Sequence, residues 1–157
     1  MKRVNLKVLF TCLLIVYLVA FIGSLLTTSS VNSSWYASVK PAITPPNWVF
    51  PVVWNILFLL IAVSLYFAWI KSKNKKNKTK VAVVFGINLL LNILWSFLFF
   101  FLQLPALAFF ELIIFEASII AMIIITNKIK KVSAYLLIPY AVWVAFAGIL
   151  NYLIAFG

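Results

Sequence analysis

Hydrophobic residues occur along this chain in five long runs that are separated by short polar segments. The runs lie near residues 8–28, 48–70, 81–102, 106–126 and 133–156. A helix rises about 1.5 Å per residue, so each run can cross the roughly 30 Å hydrocarbon core of a bilayer. The pattern predicts an all-α membrane protein, a bundle of five transmembrane helices that forms one domain over residues 1–157.

Positive charges are concentrated on alternate connections between these runs. Of the 13 Lys and Arg residues, three precede the first run, six lie between residues 71 and 80, three lie between residues 128 and 131, and Lys40 stands alone. Short loops rich in Lys and Arg stay on the cytoplasmic side of a membrane. We therefore expect a multi-pass protein of a prokaryotic-type cell membrane, with a cytoplasmic N-terminus, an external C-terminus and a lysine-rich face that meets anionic lipid headgroups.

Composition excludes several classes of function. The net charge of +11 does not indicate a nucleic-acid partner, because the lysines lie beside span ends and not in one patch on a folded domain. Cys12 is the single cysteine and histidine is absent, so we expect no metal site and no required cofactor. We find no pair of nucleophile and base for a conventional hydrolase or transferase.

The segment between the first two runs, residues 29–47, is long for a connection between helices. Its three prolines, Pro41, Pro45 and Pro46, favour a stiff, extended chain. We expect this segment to form a lid, with Asn47 as the N-cap of the next helix. The lysine-rich stretch between residues 71 and 80 is expected to be a solvated linker.

Three tryptophans lie well inside the predicted spans. Trp48 and Trp69 suit the two membrane interfaces. Trp54, Trp95 and Trp143 lie roughly 9, 10 and 20 Å below the outer ends of their helices, from the rise per residue. They could line a cavity that opens outward, or they could fill gaps between helices, and their positions alone favour neither interpretation.

Polar residues within the spans favour the cavity. Asn88, Asn92 and Ser96 recur every four residues and form one stripe on the third span, and Asn151 lies in the outer half of the fifth. An unpaired amide in hydrocarbon is costly, so these groups must bond to other helices or face a ligand. For Asn88 both alternatives stay open. Asn92, beside Trp95, is the better candidate for a cavity wall.

The two acidic residues, Glu111 and Glu116, both fall in the fourth span. A spacing of five residues points them to different helix faces, which argues against a paired acid and base. Each is a functional candidate by its depth, or a group that fastens helices together. Small residues four apart, at Ala82 and Gly86, could form a dimer contact or pack within the bundle.

The sequence also resembles a known family. Residues 35–54 read WYASVKPAITPPNWVFPVVW, and further matches are NILWS at residues 92–96 followed by FF at 99–100, the acidic position Glu111, and PYAVWVAF at residues 139–146 with LNY at 150–152. This combination is similar to the signature of the translocator protein family (TspO/MBR), the tryptophan-rich sensory or peripheral-type benzodiazepine receptor proteins.

The resemblance implies a five-helix bundle, commonly a homodimer, with a pocket below the first outer loop. Members of the family bind porphyrins and, in some cases, haem, sterols or isoquinoline carboxamides. Carried over to this chain, the ligand-binding residues would be Tyr36, Trp54, Asn92, Trp95, Trp143 and Asn151. The lid would carry Lys40, Pro41, Pro45 and Pro46.

This chain departs from the family at two positions. No basic residue follows Tyr152, although the family's sterol-recognition pattern requires one, and Ile43 stands where some members have tryptophan.

Three functions fit these features. The first is a tetrapyrrole-binding sensor or regulator with an aromatic, outward-opening pocket. The second is a transporter of porphyrin or another amphipathic ligand, against which the lack of an internal repeat counts. The third is a light-dependent oxidation of bound porphyrin, in which Trp54 and Trp143 would take part.

Overall fold

A computed structural model describes residues 4–157, and in this part of the chain every regular element is helical. The elements are α1 (Leu6–Val31), α2 (Ser34–Val39), α3 (Val49–Lys71), α4 (Lys75–Ser96), a π-helical turn (Phe97–Phe101) that continues α4, α5 (Pro105–Asn127) and α6 (Lys131–Phe156). The five long helices are all apolar enough to cross a membrane. The predicted five-span, all-α bundle is therefore confirmed, with the short α2 as an additional helix.

The long helices pack against one another in a ring. In order around the bundle, α1 packs against α3, α3 against α6, α6 against α5, α5 against α4, and α4 against α1. Large side chains such as Ile61, Phe85 and Phe115 fill the centre and are almost completely buried. The outward faces carry apolar side chains such as Leu90 and Val142, as expected for surfaces that contact lipid.

The two ends of the bundle differ in charge. One end, here called the α2 end, carries α2, the turn between α4 and α5, and the last residues of α6. The opposite end, here called the lysine end, carries ten lysines, namely Lys7, Lys71, Lys73, Lys75, Lys76, Lys78, Lys80, Lys128, Lys130 and Lys131. Lys2 and Arg3, which the charge argument also used, lie outside the described residues.

The segment predicted as a loop is partly helical. Helix α1 continues to Val31, and α2 follows after two residues, with the Ser33 hydroxyl accepting a hydrogen bond from the backbone N–H of Tyr36 at 3.2 Å. Nothing prevents a helix here, because the first proline of the segment is Pro41. The stretch from residue 40 to 48, which contains all three prolines, is not helical, as predicted.

The prediction that Asn47 caps the next helix was wrong. Helix α3 begins at Val49, and its N-cap Trp48 makes no capping bond through its side chain. Asn47 instead donates from Nδ2 to the carbonyl of Val31 at 3.4 Å and to Oδ1 of Asn32 at 3.2 Å. These bonds hold the end of the lid segment against the end of α1.

The stretch between residues 71 and 80 is mostly exposed, as predicted for a solvated segment, but more than half of it is helical and not a linker. Helix α4 begins at Lys75, where Asn74 Oδ1 accepts from the backbone N–H of Asn77 at 2.8 Å. Lysine has a good helix propensity, and a capped N-terminus lets the helix extend beyond its apolar run. The Lys78 ammonium lies 5.6 Å from the centre of the Trp69 ring.

Helix α4 ends in an unusual turn. The N–H of Leu102 donates to the carbonyl of Phe97 at 2.9 Å, which is an i+5 bond of a π-helix. Gln103 then takes a positive φ of 54°, and Leu104 N–H donates to the carbonyl of Leu98 at 3.0 Å. This left-handed closure ends the helix and brings Pro105 to the first turn of α5.

Candidate ligand cavity

A cavity of about 730 Å³ lies in the half of the bundle nearest the α2 end. Its walls come from α1, α3, α4 with the π-helical turn, and α6, whereas α5 contributes no side chain to the lining. Ligand pockets usually measure about 300–1,000 Å³. The cavity is therefore large enough to hold a large organic ligand.

All six residues that the resemblance indicated line this one cavity. Helix α2 supplies Tyr36, α3 supplies Trp54, α4 supplies Asn92 and Trp95, and α6 supplies Trp143 and Asn151. Residues from four separate helices thus converge on a common space.

The four predicted lid residues lie elsewhere. The side chains that close the cavity at the α2 end are those of Asn32, Tyr36, Asn47 and Trp48. We call these four side chains the roof of the cavity. The set Lys40, Pro41, Pro45 and Pro46 is absent from the lining. These residues lie between the lining positions Tyr36 and Asn47 along the chain, so any contribution they make to the roof is indirect.

Aromatic contacts fix the orientation of the rings around the cavity. The Trp95 indole stacks on Phe99, with centroids 5.0 Å apart and an interplanar angle of 18°. Tyr36 packs against Phe99 and Phe100 at 6.4 and 5.7 Å. Each such pair contributes about 0.5–1.5 kcal/mol beyond the burial of its area. These contacts hold α2 over the cavity by joining it to the π-helical turn.

Phe50, Phe99 and Phe100 are lining residues that sequence reasoning missed as parts of the site. Phe50 packs edge-on against Trp143 at 5.9 Å, and Phe99 and Phe100 belong to the π-helical turn. The family motif contains all three, but phenylalanine is so common in membrane helices that the sequence alone does not single them out.

Tyr36 is a roof residue whose ionisation is affected by its burial. Burial of this side chain raises the pKa of its phenol. The hydroxyl therefore stays neutral at physiological pH and can donate or accept a hydrogen bond there.

Asn151 has both ends of its amide engaged within the protein. Trp95 Nε1 donates to Asn151 Oδ1 at 3.0 Å, and Asn151 Nδ2 donates to the carbonyl of Pro105 at 2.7 Å. Asn151 thus lines the cavity mainly as a group that connects α4, α5 and α6.

The polar residues of α4 that recur every four positions have two different roles. Asn88 donates to Ser118 Oγ at 2.8 Å and accepts from the Tyr140 hydroxyl at 3.0 Å, so bonding between helices is the alternative that the structure supports for this residue. Asn92 and Ser96 line the cavity. Asn92 also lies within hydrogen-bonding reach of the Tyr140 hydroxyl, so its amide faces α6 as well as the cavity.

Glu111 and Glu116 do not line the cavity. Both carboxyl oxygens of Glu111 and Oε2 of Glu116 are buried without a hydrogen-bond partner in the described chain. Neither the fastening of helices nor a role in the cavity is therefore seen for these two side chains.

Sequence reasoning also missed a set of polar residues at the side of the cavity. They are Ser24, Thr27 and Thr28 on α1, Asn32 directly after it, and Asn55 on α3. The signal that could have found them is the four-residue spacing of Ser24, Thr28 and Asn32, which places three polar side chains on one face of α1.

The cavity opens between α1 and α3. Eight residues line it and are also exposed at the bundle surface, namely Tyr17, Phe21, Ser24, Thr28, Asn32, Trp48, Pro51 and Asn55. Every side chain in the lining is uncharged. A ligand inside the cavity would consequently meet aromatic rings, amides and hydroxyl groups, but no cation.

Comparison with known proteins gives a consistent result. The chain is 40% identical over 151 residues to the tryptophan-rich protein TspO of Archaeoglobus fulgidus, covering 96% of both chains. It is 36% identical to a protein of the same name from Chlorobaculum tepidum, over 91% of this chain and 90% of the relative. It is 33% identical to the translocator protein of Bos taurus, over 75% and 71% respectively.

The family to which these relatives point can be matched along most of the chain. The model of the TspO/MBR family matches residues 12–156, which include every residue of the predicted site. The chain therefore belongs to the TspO/MBR family.

Proposed function

We propose that this membrane protein binds a tetrapyrrole, a porphyrin or haem, within the cavity and acts as a sensor or regulator. The observation that supports this most is the arrangement of three indole rings, those of Trp54, Trp95 and Trp143, around a single cavity of about 730 Å³. A planar aromatic macrocycle gains both area burial and stacking from such walls.

The polar groups of the cavity suit an amphipathic ligand. Asn92 offers an amide on one wall, and the neutral Tyr36 hydroxyl belongs to the roof. Each could bond to a polar edge of the macrocycle, while its apolar face rests on the rings. The lateral opening between α1 and α3 would let a hydrophobic ligand enter from the lipid.

Haem iron is not needed for this mode of binding. The chain has no histidine, and its single cysteine, Cys12, is absent from the lining. Haem would therefore bind without the usual imidazole or thiolate on its iron. A metal-free porphyrin is expected to bind with comparable affinity, and no other cofactor is required.

Two further properties belong to the proposal. The lysine end faces the cytoplasm, because short lysine-rich segments remain on that side. The protein forms a homodimer through the outward face of α4 around Gly86, where a Cβ added to the glycine would meet no atom within 4 Å. That open space permits a second helix to approach closely.

Titration of the purified protein with metal-free protoporphyrin in the dark tests the central claim. Because tryptophans surround the cavity, bound porphyrin should quench their fluorescence, with saturation at micromolar ligand and near one porphyrin per chain. Absence of saturable quenching at these concentrations would refute tetrapyrrole binding. Repeating the experiment under illumination, and measuring flux into sealed vesicles, would distinguish sensing from light-driven oxidation and from transport.

A further inference from the structure

The cavity lacks a charged partner for an anionic ligand. All of its lining residues are neutral, and the lysines of the described chain lie at the opposite end, apart from Lys40, which is not part of the lining. Moving a carboxylate into an apolar cavity without a partner costs several kcal/mol, so a carboxylate-bearing ligand cannot place that group deep inside.

The opening between α1 and α3 offers a more favourable place. Ser24 and Thr28 on α1 and Asn32 directly after it follow one another at four-residue intervals, and all three both line the cavity and are exposed. We call these three residues the polar stripe. It extends about 12 Å along the helix, from the rise per residue, and ends at the α2 end of the bundle. Asn55 lies on α3, the helix on the other side of the opening.

The hydroxyl groups of the polar stripe can donate to a ligand at little cost. Ser24 Oγ now donates to the carbonyl of Phe21 at 2.8 Å, and Thr28 Oγ1 donates to the carbonyl of Ser24 at 2.6 Å. A carbonyl within a helix also accepts a backbone N–H, so it keeps a partner when a hydroxyl turns away. The exchange leaves no buried group unpaired.

Asn32 supplies a donor at the end of the stripe. Its Oδ1 already accepts from Asn47 Nδ2 at 3.2 Å, which leaves its own NH₂ group for other partners. Because Asn32 directly follows α1 at the α2 end, a carboxylate bound there can also keep contact with water at the membrane interface.

We propose that the polar stripe is the carboxylate subsite of the cavity, and that it selects amphipathic ligands with an apolar body and acidic groups on one edge. The body enters between the tryptophans, and the acidic edge stays in the opening between α1 and α3. This inference rests on the proposed function and adds to it the orientation and the chemical class of the ligand.

The test compares protoporphyrin IX, a dicarboxylic acid, with its uncharged dimethyl ester. The variant S24A with T28V removes both hydroxyl groups of the stripe. Charge-assisted hydrogen bonds are stronger than neutral ones, so we expect this variant to lose about tenfold in affinity for the diacid and less than about twofold for the ester. Tryptophan quenching at neutral pH measures both affinities.

A matched control removes two hydroxyl groups from α1 outside the cavity. Thr11 and Ser29 are exposed and absent from the lining, so T11V with S29A should bind both ligands as the unmodified protein does. An equal loss of diacid and ester in the stripe variant, or no loss of either, would overturn the carboxylate subsite.

Two outcomes with the unmodified protein separate this inference from the proposed function. Binding of the ester without the diacid would overturn the subsite but preserve the tetrapyrrole cavity. Failure of both ligands to bind would refute the proposed function itself.

Discussion

The indole nitrogen of Trp95 donates to the side-chain carbonyl of Asn151 at 3.0 Å, and this bond joins α4 to α6 beside the cavity. The other end of the same amide donates to Pro105 in the first turn of α5 at 2.7 Å. A single buried side chain thus connects three helices and fixes one wall of the cavity.

Replacing Asn151 with alanine should therefore destabilise the bundle. The change leaves the Trp95 N–H without its partner and removes the bond to the Pro105 carbonyl, and we expect a loss of about 1–2 kcal/mol in the free energy of unfolding. Unfolding in detergent by heat or denaturant measures it. Asn55→Ala is the matched control, because the Asn55 amide donates only to Pro51 of its own helix, and equal losses in the two variants would contradict the prediction.

Quenching of tryptophan fluorescence by bound porphyrin should depend on the position of each tryptophan. Trp143 lines the cavity, whereas Trp69 lies beside Lys78 at the lysine end. Trp143→Phe should reduce both the quenching and any light-driven loss of ligand, and Trp69→Phe should change neither. If the two variants behave alike, the quenching does not report on the cavity.

The prolines of the lid segment should affect affinity indirectly. Pro45→Gly together with Pro46→Gly adds flexibility to the unbound segment, and each replacement is expected to cost about 0.4–1 kcal/mol in the ordered state. If ligand binding requires an ordered roof, porphyrin affinity should fall roughly four- to thirtyfold. The melting temperature of the bundle should change little. Unaltered affinity would identify the segment as a simple connector.

Chemical labelling of single cysteines can determine the orientation in the membrane. In a Cys12→Ala background, Ser34→Cys in α2 and Lys73→Cys at the lysine end both introduce an exposed thiol. We expect a membrane-impermeant reagent added to intact cells to label the first and not the second. The reverse pattern would place the lysine end outside.

Substitution of Gly86 tests the dimer. Gly86→Leu should shift the protein toward monomer in mild detergent, because its side chain would hold a second α4 helix at a distance. Gly86→Ala is the matched control, since the space around this position accepts a Cβ. If the leucine variant remains dimeric in analytical ultracentrifugation, the contact lies on another face.

The five long helices could be predicted from sequence because the bilayer imposes a minimum length on every apolar run. The short helix α2 and the N-terminal turns of α4 lie beyond those runs, where helix formation depends on local caps such as Ser33 and Asn74. Capping is a weaker signal than hydrophobic length, so both were missed.

The cavity was only partly predictable for a related reason. Trp54, Trp95 and Trp143 stood out because large aromatics deep in a span are unusual. Ser24 and Thr28 did not, since hydroxyl groups in membrane helices commonly bond to their own backbone. The role of Asn88 could be decided only by its neighbours Ser118 and Tyr140, which come from two other helices.

The π-helical turn at Phe97–Phe101 also has an evolutionary consequence. A π-helical turn is equivalent to an α-helix that has gained one residue. Each residue of an α-helix rotates the following positions by about 100° around the helix axis. Loss of one residue here would restore a regular helix but rotate the positions beyond it, so that Phe99 and Phe100 could not both keep their contacts with Tyr36. Insertions and deletions in this short stretch should consequently be selected against more strongly than substitutions among apolar side chains.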